Sequence, residues 1–138
     1  MKIFALRLKP DTDLKDSLWN FTQAHSIQAG FILTTVGSLK RASLRLAGQS
    51  DNQVFDGKFE IVSLVGTLSQ DGVHLHIAIS DFEGRTIGGH LTSGSIINTT
   101  AEVVIGDSYH HRFTRTVDEQ TGYRELQIIK HGQHRGHA

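Results

Sequence analysis

Apolar residues recur at every second position along most of this chain, and only one stretch repeats on a helical period. Lys2 to Leu8, KIFALRL, alternates and reads as a first strand, ended by Lys9-Pro10. Leu14, Leu18, Phe21 and Ala24 or His25 then recur at three- and four-residue spacing, which is one apolar face of a helix. Trp19 widens that stripe and is expected in the core. Asp11, Thr12 or Asp13 can cap the helix, and acidic residues there suit its dipole. The helix is expected to stop near Ser26, with Gly30 on the way out.

Strand patterns fill the rest. Gly30 to Val36 is rich in strand-favouring residues, Gly37-Ser38 reads as a bend or bulge, and Ala42 to Leu46 alternates again. Gly48 to Asp56 reads as a polar loop. Lys58 to Thr67 is a strong strand, with Phe59, Ile61, Ser63 and Val65 on one face. Apolar residues on both faces near its end suggest a central position. Ser69 to Gly72 is a turn into the next strand. Ile96 to Ile105 is a long strand, and Tyr109 to Thr116 with Tyr123 to Ile129 form a last hairpin. One helix against eight strands predicts an α+β domain with a mostly antiparallel sheet over residues 1–130. The polar, glycine-rich segment 131–138 reads as a mobile tail, with His131, His134 and His137 able to bind metal adventitiously.

Candidate chemistry concentrates in Gly72 to His90, GVHLHIAISDFEGRTIGGH. His74 and His76 are two apart, so on a strand they share a face. Asp81 to Arg85 reads as a turn in which Gly84 takes a positive φ. Simple antiparallel pairing around Glu83 places His76 opposite His90, with Cβ atoms ~4.5–5.5 Å apart. A bulge at Gly88-Gly89 would turn His90 to the other face. Three convergent imidazoles can hold a divalent metal, zinc foremost, with a fourth position open. The alternative is structural: histidines on a half-buried strand that hydrogen-bond to their neighbours. Glu102 lies inside the apolar strand IINTTAEVVI. It is either a partner of the histidines, as an acid/base or outer-shell group, or an exposed glutamate. The adjacent His110 and His111 point to opposite faces and cannot chelate together.

Composition narrows the classes. The 138 residues suit one domain, and 14 basic residues balance 14 acidic ones. That balance argues against strong nonspecific binding of DNA, which needs a basic stripe. It is compatible with self-association. There is no cysteine, so any metal must be held by His, Asp or Glu. No stretch approaches the ~20 apolar residues of a membrane helix. The N-terminal apolar run is too short for a signal peptide, and a soluble cytoplasmic protein is expected.

Gly57 to Val62, GKFEIV, resembles the Gly-Arg-Phe-Glu-Ile-Leu hexapeptide of the plant and prokaryote conserved domain, PPC or DUF296. His74-Leu75-His76, Gly88-Gly89-His90-Leu91 and Thr100 to Ile105 match the pattern of that family in the same order, and the likeness spans about residues 2 to 129. The resemblance implies a curved antiparallel sheet packed with one main helix, assembled as a homotrimer. In plant members the hexapeptide is associated with partner binding, which marks Gly57, Lys58, Phe59, Glu60, Ile61 and Val62 as a candidate protein contact. Prokaryotic members are described as DNA-binding proteins with a PD1-like motif, so a DNA-associated regulatory module is the second functional expectation. The DNA-reading AT-hook of the plant proteins centres on Arg-Gly-Arg-Pro. Here the only proline is Pro10, and Arg135-Gly136-His137 is a poor imitation.

Overall fold

The computed structural model describes residues 1–131. Its elements run β1 (Lys2–Leu8), α1 (Leu14–Ala24), β2 (Gly30–Arg45), β3 (Asn52–Ser69), β4 (Gly72–Ser80), β5 (Thr86–Leu91), β6 (Ile96–Asp107), β7 (His111–Val117) and β8 (Arg124–Lys130). Six strands form one antiparallel sheet in the order β1-β6-β2-β3-β4-β5. The end strand β5 also pairs with the C-terminal end of β2, through Leu44↔Leu91 and Arg45↔His90. The sheet therefore curls back on itself, and β7 and β8 form a separate hairpin. The α+β prediction with one helix and a mostly antiparallel sheet is what the described residues show. Among them, no helix is long and apolar enough to cross a membrane.

Asp13 caps the helix, its side chain accepting from the Asp16 N–H at 2.9 Å. Leu14 and Leu18 are fully buried and Phe21 packs against the same core, as their spacing predicts. Trp19 departs from expectation: it is half-buried and stands outside the core cluster. The core lies inside the curl, with Leu39, Leu44, Leu68, Leu75, Ile79, Leu91, Ile97 and Ile105 all buried.

Three further expectations change. The two strands read across Gly30–Leu46 are one strand, β2, bent by register shifts at Gly37/Leu39 and Leu39/Arg41 against β6. A side chain at Gly37 would run into the backbone of Thr100 and Ala101, so glycine lets β6 come this close. The polar segment before Lys58 is not all loop, because β3 begins at Asn52 and pairs with Ala42 to Arg45. Hairpin pairing and the half-buried Phe55 outweigh the low strand preference of Asn52, Gln53 and Asp56. In β3 a bulge between Ile61 and Ser63 breaks the alternation. Ile61 and Leu64 therefore point inward, while Val62 and Val65 are 57% and 56% exposed.

A buried hydroxyl network fixes the end of β5. The Thr92 hydroxyl donates to the Ser43 carbonyl at 2.7 Å, and the Ser95 hydroxyl accepts from the Ser43 N–H at 3.0 Å. The Thr92 N–H also donates to the Ser43 carbonyl. These bonds hold β5 against β2 and so set the position of His90.

Candidate metal centre

His74 and His76 flank Leu75 on β4. Leu75 is buried and both histidines are exposed, which is the strand alternation in its simplest form. Thr67 and Val65 of β3 stand opposite His74 and His76. Across the next hairpin His76 pairs directly with His90. No register shift occurs between β4 and β5, so Gly88-Gly89 does not bulge there. These glycines serve close approach instead: a Cβ at Gly88 would lie 2.8 Å from the Ile77 carbonyl oxygen, and one at Gly89 2.9 Å from that of Arg45.

The three rings converge on the outer face. Their centroids are 5.1 Å apart for His74–His76, 5.2 Å for His74–His90 and 5.6 Å for His76–His90. One ring nitrogen from each lies within 4.8 Å of the other two. Three nitrogens ~2.05 Å from a tetrahedral ion stand about 3.3 Å apart. His74 and His76 are exposed and His90 is half-buried, and the donor set fits a three-histidine site with one open position.

The electrostatics favour the neutral, ligand-ready form of His74 and His90. Partial burial lowers the pKa of His90 to about 4, helped by the positive charge of Arg45, by His74 and by Lys15. His74 is lowered too, first by burial and then by Arg115 and His76, with Glu125 opposing. Two open clefts flank the rings. One, of about 410 Å³, is lined by His74, His90, Arg45, Arg115, Tyr123 and Arg124, among others. The second, of about 680 Å³, runs over all three histidines and the chain from Arg45 to Ser50.

The other sequence candidates lie elsewhere. Glu102 is exposed on β6, opposite Arg7 and Val36, with β2 and β3 between it and the histidine strand. Within one chain it does not reach the rings, because strand order in space differs from order in sequence. Gly57 to Val62 forms the middle of β3. Its Ile61 is 7% exposed and Phe59 packs on the core, so only Lys58, Glu60 and Val62 present side chains fully outward. His111 is hydrogen-bonded through Nδ1 to the Ser108 hydroxyl at 2.6 Å, away from the cluster. His25 stacks on Phe21 at 3.9 Å. His131 is held to the His110 carbonyl through its backbone N–H at 2.7 Å, and the rest of the expected mobile tail lies outside the described residues. Arg45, Arg115, Tyr123 and Arg124 went unremarked in the sequence. Arg45 sits visibly in the alternation of ASLRL, but no local pattern announces that β2 closes on β5.

Residues 1–108 match the family model of the Plants and Prokaryotes Conserved (PCC) domain. The chain belongs to this family. A bifunctional protein GlmU from Synechococcus sp. (strain JA-3-3Ab) is 49% identical over 130 residues. That match takes in 94% of this PCC chain but only 21% of the relative, so the chain spans about a fifth of the curated relative's length. A hypothetical protein from Salmonella cholerae-suis has the same fold at 39% identity, with a TM-score of 0.91 over 94% of each chain. A crystal structure from Bacteroides thetaiotaomicron, described as a candidate DNA-binding protein, is 27% identical, with a TM-score of 0.79 over 91% of each chain. A metal-containing protein from Archaeoglobus fulgidus is also 27% identical, with a TM-score of 0.77 over 92% of this chain and 94% of its own.

Proposed function

We propose that this PCC protein binds a divalent metal ion, zinc foremost, through His74, His76 and His90, leaving one position open for a small ligand. The observation that carries the reading is the convergence of three imidazole donors within 4.8 Å on two strands in direct register. The metal-containing Archaeoglobus relative supports it. A metal in such a site supplies a Lewis acid and a water that ionises near neutral pH. The chain's own part is to present three imidazoles on a strand pair in direct register. No nucleophile motif or substrate is assigned.

The test is metal content of tag-free protein, purified without added metal or chelator, beside His76→Ala. Near-stoichiometric metal in the native chain, lost in the variant, is the expected result. An outer-shell change alone costs 10–100-fold in affinity, so loss of a direct ligand should cost at least about 100-fold. His76 is exposed, so the variant should stay within about 0.5 kcal/mol of native stability. Unchanged stoichiometry in His76→Ala removes the proposal and leaves the histidines a structural role.

We propose further that the chain assembles as a homotrimer. Leu33, Val36, Val62 and Val65 support this, standing 44–58% exposed on β2 and β3. The outward residues of Gly57 to Val62 are the candidate contact for another protein. Association with DNA is the second reading, favoured by the Bacteroides relative and by three arginines beside one cleft. Balanced charge weighs against it. Salt-dependent retardation of a DNA duplex would support it, and no retardation even at low salt removes it.

A further inference from the structure

Beside the histidines stand side chains that the metal reading leaves unused. Arg45 lies directly opposite His90 across β2 and β5, so its side chain shares the histidine face. Arg115 arrives from β7. Its guanidinium donates to the Thr67 hydroxyl at 3.1 Å, and Thr67 stands opposite His74. It also donates to the Arg124 carbonyl at 3.3 Å, and Arg124 donates back to the Arg115 carbonyl at 3.1 Å. These acceptors are all neutral. The ion pairs among the described residues involve Lys40, Arg41 and Arg85, and none involves Arg45, Arg115 or Arg124.

The two carboxylates near this cleft are engaged. Asp71 accepts the Arg115 backbone N–H at 2.9 Å, and Glu125 accepts the Thr121 hydroxyl at 2.9 Å. Three guanidiniums against two carboxylates leave a positive excess in a concave site of about 410 Å³, with the Tyr123 ring in its wall. That size lies within the range of small-molecule sites. A guanidinium is planar and offers paired donors that match an oxyanion.

We propose that this cleft binds a small-molecule oxyanion, a carboxylate or phosphate group, anchored by Arg45 and steadied from β7 by Arg115. The inference deepens the metal reading and rests on it in one respect: a ligand held at Arg45 lies beside the open coordination position and can reach it. Arg115, Tyr123 and Arg124 all follow residue 108, where the family match ends. The C-terminal hairpin thus sets which anions the cleft accepts.

The test uses full-length protein loaded with cobalt(II), whose visible spectrum reports metal binding and changes at the open position. Malonate and inorganic phosphate are titrated separately, which distinguishes a carboxylate from a phosphate site. In the native chain one of them should bind saturably and alter the spectrum. Arg45→Ala should still take up cobalt and lose about 10- to 100-fold in anion affinity, the scale of one hydrogen-bonded charge contact. Arg45→Lys should recover only part of this, because it lacks the planar fork. Native-like anion affinity in Arg45→Ala, or no binding of either probe, overturns the proposal. If the native chain takes up no cobalt, the metal reading fails on its own. Calorimetry without metal then decides the cleft: Arg45-dependent heat sustains it and absence of heat refutes it.

Discussion

Gly66 stands opposite Leu75, between the positions that face His74 and His76. A Cβ there would collide with the His74 carbonyl and lie 2.9 Å from both the Cα and a methyl carbon of Leu75. Its φ of 155° is also one that L side chains rarely adopt. Gly66→Ala therefore carries two penalties. Backbone strain of this kind costs about 1–3 kcal/mol, and overpacking against a fixed neighbour about the same again. A total of roughly 2–6 kcal/mol is expected, against the ~5–15 kcal/mol of a typical domain. Leu75 is buried and β4 is paired on both sides, so relief must come from moving β4 away from β3. That displaces the backbone of His74 and spreads the donor atoms. Urea unfolding should show a lower midpoint, and zinc titration of the still-folded variant a weaker site. A variant within 0.5 kcal/mol of native stability and with native zinc affinity would refute the argument that Gly66 lets the histidine strand seat.

Acid should weaken the fold through the same histidines. His74 and His90 are held below the ordinary value of 6.5, His90 at about 4, so between those limits the unfolded chain binds more protons than the folded one. Stability contributed by the neutral rings is complete above about pH 6.5 and declines as pH falls toward 4. His90→Gln should flatten that dependence in chemical denaturation, and an unchanged slope would remove the electrostatic account. Light scattering of purified protein should give about three times the 15.3 kDa chain mass, and Val65→Glu should lower it. A monomeric native chain ends the trimer proposal.

The histidine site was largely legible because its geometry is local. A turn around Glu83 joins β4 to β5, and counting outward from it gives His76 opposite His90. Sequence leaves Glu102 between two readings and gives no sign of Arg45's place for the opposite reason. Their neighbours depend on which strands lie side by side, and β2 touches β3, β5 and β6 in turn. Period-two reading also failed wherever a bulge intervened, as at Ile61/Ser63, because one extra residue exchanges the faces of everything beyond it. The start of β3 was missed because Asn52 to Asp56 gains its strand form from the partner strand and not from its own preferences.

The placement of the three rings outside the curled sheet bears on how metal and folding relate. In a zinc finger the ion stands in for a missing core, and the apo chain unfolds. Here the core of Leu39, Leu44, Leu75 and Ile97 lies on the opposite side of the strands and is complete without the rings. An ion held by the proposed site would be a passenger, not a staple. It would stabilise by mass action, about 2.7 kcal/mol when free metal is 100 times its dissociation constant. A chelator would leave the donors where they were, so under the metal reading the fold persists whether the site is filled or empty.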